Sequence, residues 1–190
     1  SPQRDLVCGF CSSNSSAPMI SCVNQHGAKV VDFMGFPLNA WGLSARHDCD
    51  GIDVFGFPHG PWGKGPDVED IERAFPLLHL YQKGMPDSGS FGKNRGGTGI
   101  TLAYAVHNVP YAVFTATTKE SKFPTHTGLF GGYSQTVVPA IRVTGVDAIE
   151  SMREGNVTLP GSDYDLVRDR PFGGEIIMEH QARPARIVEK

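Results

Sequence analysis

The chain has 190 residues, with 17 basic against 20 acidic side chains and a formal net charge of -3, which argues against a surface built to neutralise phosphates along a nucleic acid. Hydrophobic residues make up 39%, too many for a disordered tail, and no run approaches the roughly 20 apolar residues that cross a bilayer, so a single globular unit over 1–190 with no membrane or nucleic-acid partner is expected. The 23 glycines and 14 prolines would interrupt long helices and exclude a helix bundle.

Ser1 in place of Met suggests an excised piece or a processed end. Residues 1–10 lack the charged start and apolar run of a secretory signal, so a cytoplasmic chain with free thiols at Cys8, Cys11, Cys22 and Cys49 is expected. Residues 17–36 show two β-favouring runs around Asn24-Gln25-His26-Gly27, a hairpin signal. From Gly35 to Gly65 there is no sustained period; Trp41, Phe55, Phe57 and Trp62 point to ordered irregular backbone rather than disorder.

Pro66 to Phe75 is the clearest helix, with acids in its first turn, Val68, Ile71, Ala74 and Phe75 on one face, and Pro76 to end it. Leu77 to Gln82 reads as a strand and Met85 to Thr98 as a glycine-rich loop. Ile100 to Val106 and Ala112 to Thr118 form a second pair of strands with a turn at Asn108 to Pro110. A further glycine-rich loop, Thr127 to Tyr133, precedes strand-like Thr136 to Val143, and Glu175 to His180 reads as a terminal strand.

Several constellations have chemical potential. Cys8, Cys11, Cys22 and His26 have the order of a zinc site, but Cys22 lies in an apolar strand pattern, where a free Cys reads as a small buried hydrophobe, and that reading is preferred. Arg46-His47-Asp48-Cys49-Asp50-Gly51-Ile52-Asp53 concentrates carboxylates and imidazole that could bind a cation or exchange protons. The alternative is that Asp50 and Asp53 cap turns through local backbone hydrogen bonds. Gly89 to Gly99, with Lys93 and Arg95, offers the amides and cations of an anion-binding nest, against a plain turn role. It is no Walker loop, because Lys93 precedes Asn94 and a strand-like segment follows in place of a helix. His126 lacks a spaced partner, and Asp87 after Pro86 reads first as a turn.

Taken in order, Asn24-Gln25-His26-Gly27, Asp50-Gly51-Ile52-Asp53, the Asp67 to Phe75 helix with Pro76, Pro86-Asp87-Ser88-Gly89, Gly92 to Gly99 and Gly128-Leu129-Phe130-Gly131-Gly132 resemble the C-terminal part of hydantoinase B/oxoprolinase subunits. Gly131-Gly132-Tyr133 and the segment Glu179 to Arg186 look closer to the acetone and acetophenone carboxylase branch. The resemblance implies a mainly β fold of barrel-like paired sheets, with glycine-rich polyproline-like segments and one short helix. It further implies a companion hydantoinase A-type subunit that holds ATP and Mg and phosphorylates a ketone or cyclic amide. A divalent metal would sit on the remaining N-terminal portion of the B-type subunit, with no cofactor assigned to this chain.

In that setting His47, Asp50, Asp53 and His126 would be catalytic, and Asp87, Lys93 and Arg95 would bind substrate or anion. The reaction would be ATP-dependent ketone carboxylation, or alternatively opening of a hydantoin or oxoproline ring, with no activity expected of the chain alone. A third possibility is a non-catalytic assembly module.

Overall fold

The computed structural model describes residues 4–9, 19–33, 42–56, 66–115, 123–124, 126–137, 140–155, 157–179 and 185–188. Expectations that fall on Cys11, Trp41, Phe57, Trp62 and residues 116–118 lie outside these. Among the described residues, a short 3-10 turn, Arg4–Leu6, precedes eight strands and three short helices.

Strands β1 (Met19–Val23) and β2 (Lys29–Phe33) form the expected hairpin, with Ile20 opposite Asp32 and Cys22 opposite Val30. Its turn closes because the Asn24 side-chain oxygen accepts the amides of His26 and Ala28 at 3.1 and 3.0 Å, while Gly27 takes φ +81°. Alternation along β1 leaves Met19 exposed and turns Ile20 and Cys22 inward, where burial pushes the Cys22 thiol pKa up.

Helix α1 (Val68–Ala74) starts where the Asp67 carboxylate accepts the Glu69 amide at 3.0 Å. It stops at Phe75, whose φ of -122° and ψ of 152° are the extended geometry that Pro76 imposes on its predecessor. Ile71 and Phe75 point into the core. The tip of the β1–β2 hairpin caps the C-terminal end of this helix: the Gln25 amide nitrogen donates to the carbonyls of Glu72 and Arg73 at 2.9 and 3.0 Å, and Asn24 Nδ2 donates to that of Ala74 at 3.2 Å. These are carbonyls that a helix cannot satisfy internally.

Strand β3 (Leu77–Gly84) pairs antiparallel with β4 (Ile100–Val106), with a register shift between His79 and Tyr81. The expected pairing of β4 with the next strand does not occur. Residues 107–110 instead carry the chain out of the β3–β4 sheet, so that β5 (Tyr111–Thr115) joins β1 in a sheet of order β2-β1-β5-β8. Its outer member, β8 (Ala185–Val188), follows the strand that the sequence reads as terminal, β7 (Glu175–Glu179). Strand β7 pairs antiparallel with β6 (Ala140–Thr144) in a third sheet. The described β6 falls largely within the strand-like span Thr136 to Val143 that the sequence pattern suggests.

Two helices beyond the single expected one are present, α2 (Ala148–Arg153) and α3 (Asp163–Asp169). Helix α3 is capped by Ser162 Oγ, which accepts the Asp165 amide at 3.2 Å, and is joined to β3 by the Tyr81 hydroxyl donating to Asp163 Oδ1 at 2.6 Å. Half burial, with Asp163 beside it, raises the pKa of that phenol.

All three sheets are antiparallel, and among the described residues no closed barrel forms. The core gathers Ile20, Cys22, Ile71, Phe75, Leu77 and Ala112 where β1, β5, α1 and β3 meet. Tyr104 and Phe114 stack beside it, their ring centroids 6.1 Å apart.

Candidate functional site

Outside the sheets, the segments 42–54 and 85–99 are threaded together by backbone hydrogen bonds. Leu43 donates to Ile52 and Gly97 to Leu43, both at 2.8 Å; Gly51 donates to Arg95 at 2.7 Å, Val54 to Thr98 at 2.8 Å and Met85 to Gly99 at 2.9 Å. Such interleaving needs bare backbone on the facing sides. A Cβ on Gly51 would overlap the Leu43 carbonyl, and one on Gly97 would overlap that of Ile52. These glycines are therefore required for close approach, their φ angles being ordinary.

Two of the sequence-predicted carboxylates sit on this frame. Asp50 Oδ1 accepts the Arg95 amide at 2.7 Å, and Asp53 Oδ1 accepts the Thr98 amide at 2.6 Å. Both bind backbone, but from partners 45 residues along the chain and not within a local turn. The Thr98 amide, foremost, holds the Asp53 carboxyl below its ordinary pKa, and the Arg95 guanidinium adds to this from 3.5 Å. Val54, next in sequence, has φ +49°, a strained value for a β-branched residue. Asp87 lies apart, in an exposed turn at φ +56° beside Ser88, whose hydroxyl accepts the Gly99 amide at 2.9 Å.

The other predicted residues, His47, Lys93 and His126, line one cleft of about 420 Å³. Its position follows from the frame. Asn94 Nδ2 donates to the carbonyls of Arg46 and His47 at 2.8 Å each, which sets Lys93 alongside the 44–47 segment. The Tyr133 amide donates to the Phe91 carbonyl at 2.8 Å and brings in the loop 126–133. Gln135 is buried, and its amide nitrogen lies 3.4 Å from His126 Nδ1; donation there would leave the ring proton on Nε2.

The structure thus separates the seven predicted residues into three places. His47, Lys93 and His126 line the cleft, Asp50, Asp53 and Arg95 hold the backbone frame beside it, and Asp87 belongs to neither group. Three contributors carry no role in the sequence reading. Arg46 lines the cleft and donates from Nε to Cys49 Sγ at 3.2 Å, Asn94 braces the loop, and Gln135 faces His126. Asn94 lies in the Gly92 to Gly99 cluster and Arg46 in the acid-rich run, so both were within the motifs already noted; Gln135 has no sequence signal.

The zinc-like set is dispersed where it is described: Cys22 is in the core and His26 is exposed at the hairpin tip. Among the described residues, no three His, Cys, Asp or Glu side chains are grouped to hold a metal ion, and no helix is long and apolar enough to cross a membrane.

Antiparallel sheets joined by this glycine-threaded frame define a class that the comparisons identify: the chain belongs to the hydantoinase B/oxoprolinase family, whose model matches residues 3–169. It is 33% identical over 174 residues to the acetophenone carboxylase delta subunit of Aromatoleum aromaticum, a match that covers 92% of this chain and 25% of that protein. It is similar in fold to a nucleotide-free acetone carboxylase structure, with a TM-score of 0.80 and 22% identity over 94% of this chain and 24% of the other. The chain therefore spans about a quarter of the length of the relatives it matches.

Proposed function

We propose that this chain is the C-terminal portion of a B-type subunit in an ATP-dependent ketone carboxylase. The observation that carries this reading is the 33% identity to an acetophenone carboxylase subunit along 92% of the chain. In this proposal a hydantoinase A-type companion holds ATP and Mg and phosphorylates the ketone. A divalent metal belongs to the rest of the B-type subunit, the assembly is cytoplasmic, and the chain has no turnover by itself.

The cleft is the natural place for this chain's contribution. Lys93 would offset negative charge on a phosphorylated or carboxylated intermediate, with Arg95 adding positive charge from the neighbouring frame. His47 and His126 would exchange protons at the reacting molecule, with the Gln135 contact orienting the His126 ring. Asp50 and Asp53 would shape the site by fixing the Arg95 to Thr98 backbone, and Asp87 would act only if substrate extends past the turn at Met85 to Ser88.

The test is to assemble the complex with its companion subunits and supply acetone or acetophenone, ATP and labelled bicarbonate. Label should enter a β-keto acid in step with ATP consumption. Opening of hydantoin or oxoproline rings without bicarbonate uptake would overturn the carboxylase reading in favour of the hydrolytic branch. Arg95→Ala should lower turnover more than it disturbs assembly.

A further inference from the structure

We infer that Phe91 and the turn Leu129 to Tyr133, in the wall of the cleft, form a docking surface that the rest of the B-type polypeptide covers with an apolar face of its own. This rests on the reading of the chain as one portion of such a subunit, and it names the place where that portion meets the remainder.

Four large apolar side chains gather here in contact with water. Phe91, Leu129, Phe130 and Tyr133 are 53%, 44%, 56% and 72% exposed. Their backbones are tied into one locality: the Tyr133 amide donates to the Phe91 carbonyl at 2.8 Å, and the Gly132 amide donates to that of Leu129 at 3.1 Å. Gly92 and Gly132 come close as well, since a Cβ on the first would stand 3.7 Å from the Cα of the second. Phe91, Leu129 and Phe130 also line the same cleft. With about 200 Å² on each large side chain, the open apolar area is on the order of 400 Å². A contiguous patch of that size commonly marks a contact site.

The backbone that presents the patch is tight and strained. Phe130 holds φ +53° and Gly131 φ +93°. Glycine takes such an angle freely, whereas a bulky residue does so at a cost. Gly or Asn at position 130 would suit the turn better, so the position serves the ring, and burial of that ring against a partner offsets the strain. A Cβ on Gly128 would overlap the Gly132 carbonyl, so the loop is closed on itself and its shape is set before a partner arrives.

Area and length select the occupant. A stable contact between separate molecules buries about 800 Å² on each side, and this patch supplies roughly half of that, too little to hold a second copy by itself. A face carried on the same polypeptide, or held in the same assembly, needs less, because the tether raises its effective concentration. This chain covers 25% of the acetophenone carboxylase subunit and 24% of the acetone carboxylase chain, so three quarters of such a polypeptide remain to supply that face. With the cover in place, the cleft lined by His47, Lys93 and His126 is shielded from bulk water.

Photocrosslinking in the assembled complex tests this. With Tyr133→p-benzoylphenylalanine, irradiation should join position 133 to a peptide of the B-type polypeptide outside residues 1–190, read by mass spectrometry. Adducts confined to residues 1–190, of the same copy or a second one, overturn the inference, as do adducts with a companion subunit alone or none at all. Phe130→Asn keeps a residue that tolerates positive φ and removes the ring. It should lower the adduct yield at least fivefold, while Phe130→Tyr should retain it; an equal yield in Phe130→Asn takes the Phe130 ring out of the surface. A complex that forms the adduct but only opens rings rejects the carboxylase reading and keeps the surface. One that carboxylates ketones without the adduct rejects the surface alone.

Discussion

Asp53 illustrates how a single carboxylate can be visible in a sequence while its work is not. Its density of acidic and imidazole neighbours invites an acid–base role, and the spacing suggests a local turn. The structure has it accept the Thr98 amide at 2.6 Å from across two irregular segments. No period or short-range motif announces such a bond, because the two partners meet only after the glycines let the backbones interleave. The energetics set a clear expectation. The Arg95 pair is long and half exposed and adds little, so the amide bond dominates. Asp53→Ala should cost about 1 kcal/mol in urea unfolding at pH 7, a figure reduced for the exposure of the side chain. Because the folded-state pKa lies below the ordinary 3.8, the unfolded chain binds the proton first as pH falls. The stabilisation is therefore present above about that value and is lost as pH drops through the folded pKa. Asp53→Asn, which keeps an acceptor oxygen, should retain most of the stability at pH 7 and flatten the acid dependence below pH 4. An unaltered acid profile in Asp53→Asn would show that Asp53 does not contribute to it.

At the scale of elements, legibility follows the locality of the signal. The β1–β2 hairpin and α1 could be read because Asn24 to Gly27, Asp67 and Pro76 act within a few residues of themselves. Helix α2 is six residues long and buries none of them, so Ala148, Ile149 and Met152 make too short an apolar stripe to read. Helix α3, seven residues long like α1, has a comparable local mark in Ser162, three residues before Asp165, and was within reach of the sequence. The pairing of β5 with β1 in place of β4 was beyond reach, since alternation specifies which face of a strand is buried but not which strand lies beside it. One motif moved from a family signature to a mechanical role: Gln25, at the hairpin tip, closes the end of α1 through two carbonyls. Gln25→Ala should leave those carbonyls short of a donor and cost about 1 to 2 kcal/mol. The loss should appear as a lowered urea midpoint with little change in slope, since the exposed surface on unfolding is nearly the same.

Among the described residues of the molecule, the apolar core is small. Ile20 and Leu77 are 0% and 1% exposed, and the cluster around them ties together β1, β5, α1 and β3. The β6–β7 pair, by contrast, contributes none of its described side chains to that cluster, and α2 buries none. Between these extremes stands the glycine frame, which is joined by hydrogen bonds and close backbone approach. Local opening costs least where little apolar surface is exposed by it. Amide hydrogen exchange of the chain in its complex should therefore rank three tiers. Amides of Ile20, Cys22 and Ala112 should exchange slowest, near the global unfolding free energy; those of Gly51, Gly97 and Val54 should be intermediate; and those of β6, β7 and α2 should exchange first, unless a partner covers them. The middle tier discriminates between two origins of its order. If the frame is held by the core, Ile20→Ala, which should cost about 2 to 4 kcal/mol, will speed exchange at Gly97 and at Ala112 alike. If the frame is a separate cooperative unit, Asp53→Ala will speed Gly97 and Val54 while Ala112 stays protected. The direct bonds of Asp53 and Asp50 to backbone amides of residues 95 and 98, with the core elements contributing no side chain to them, favour the second outcome.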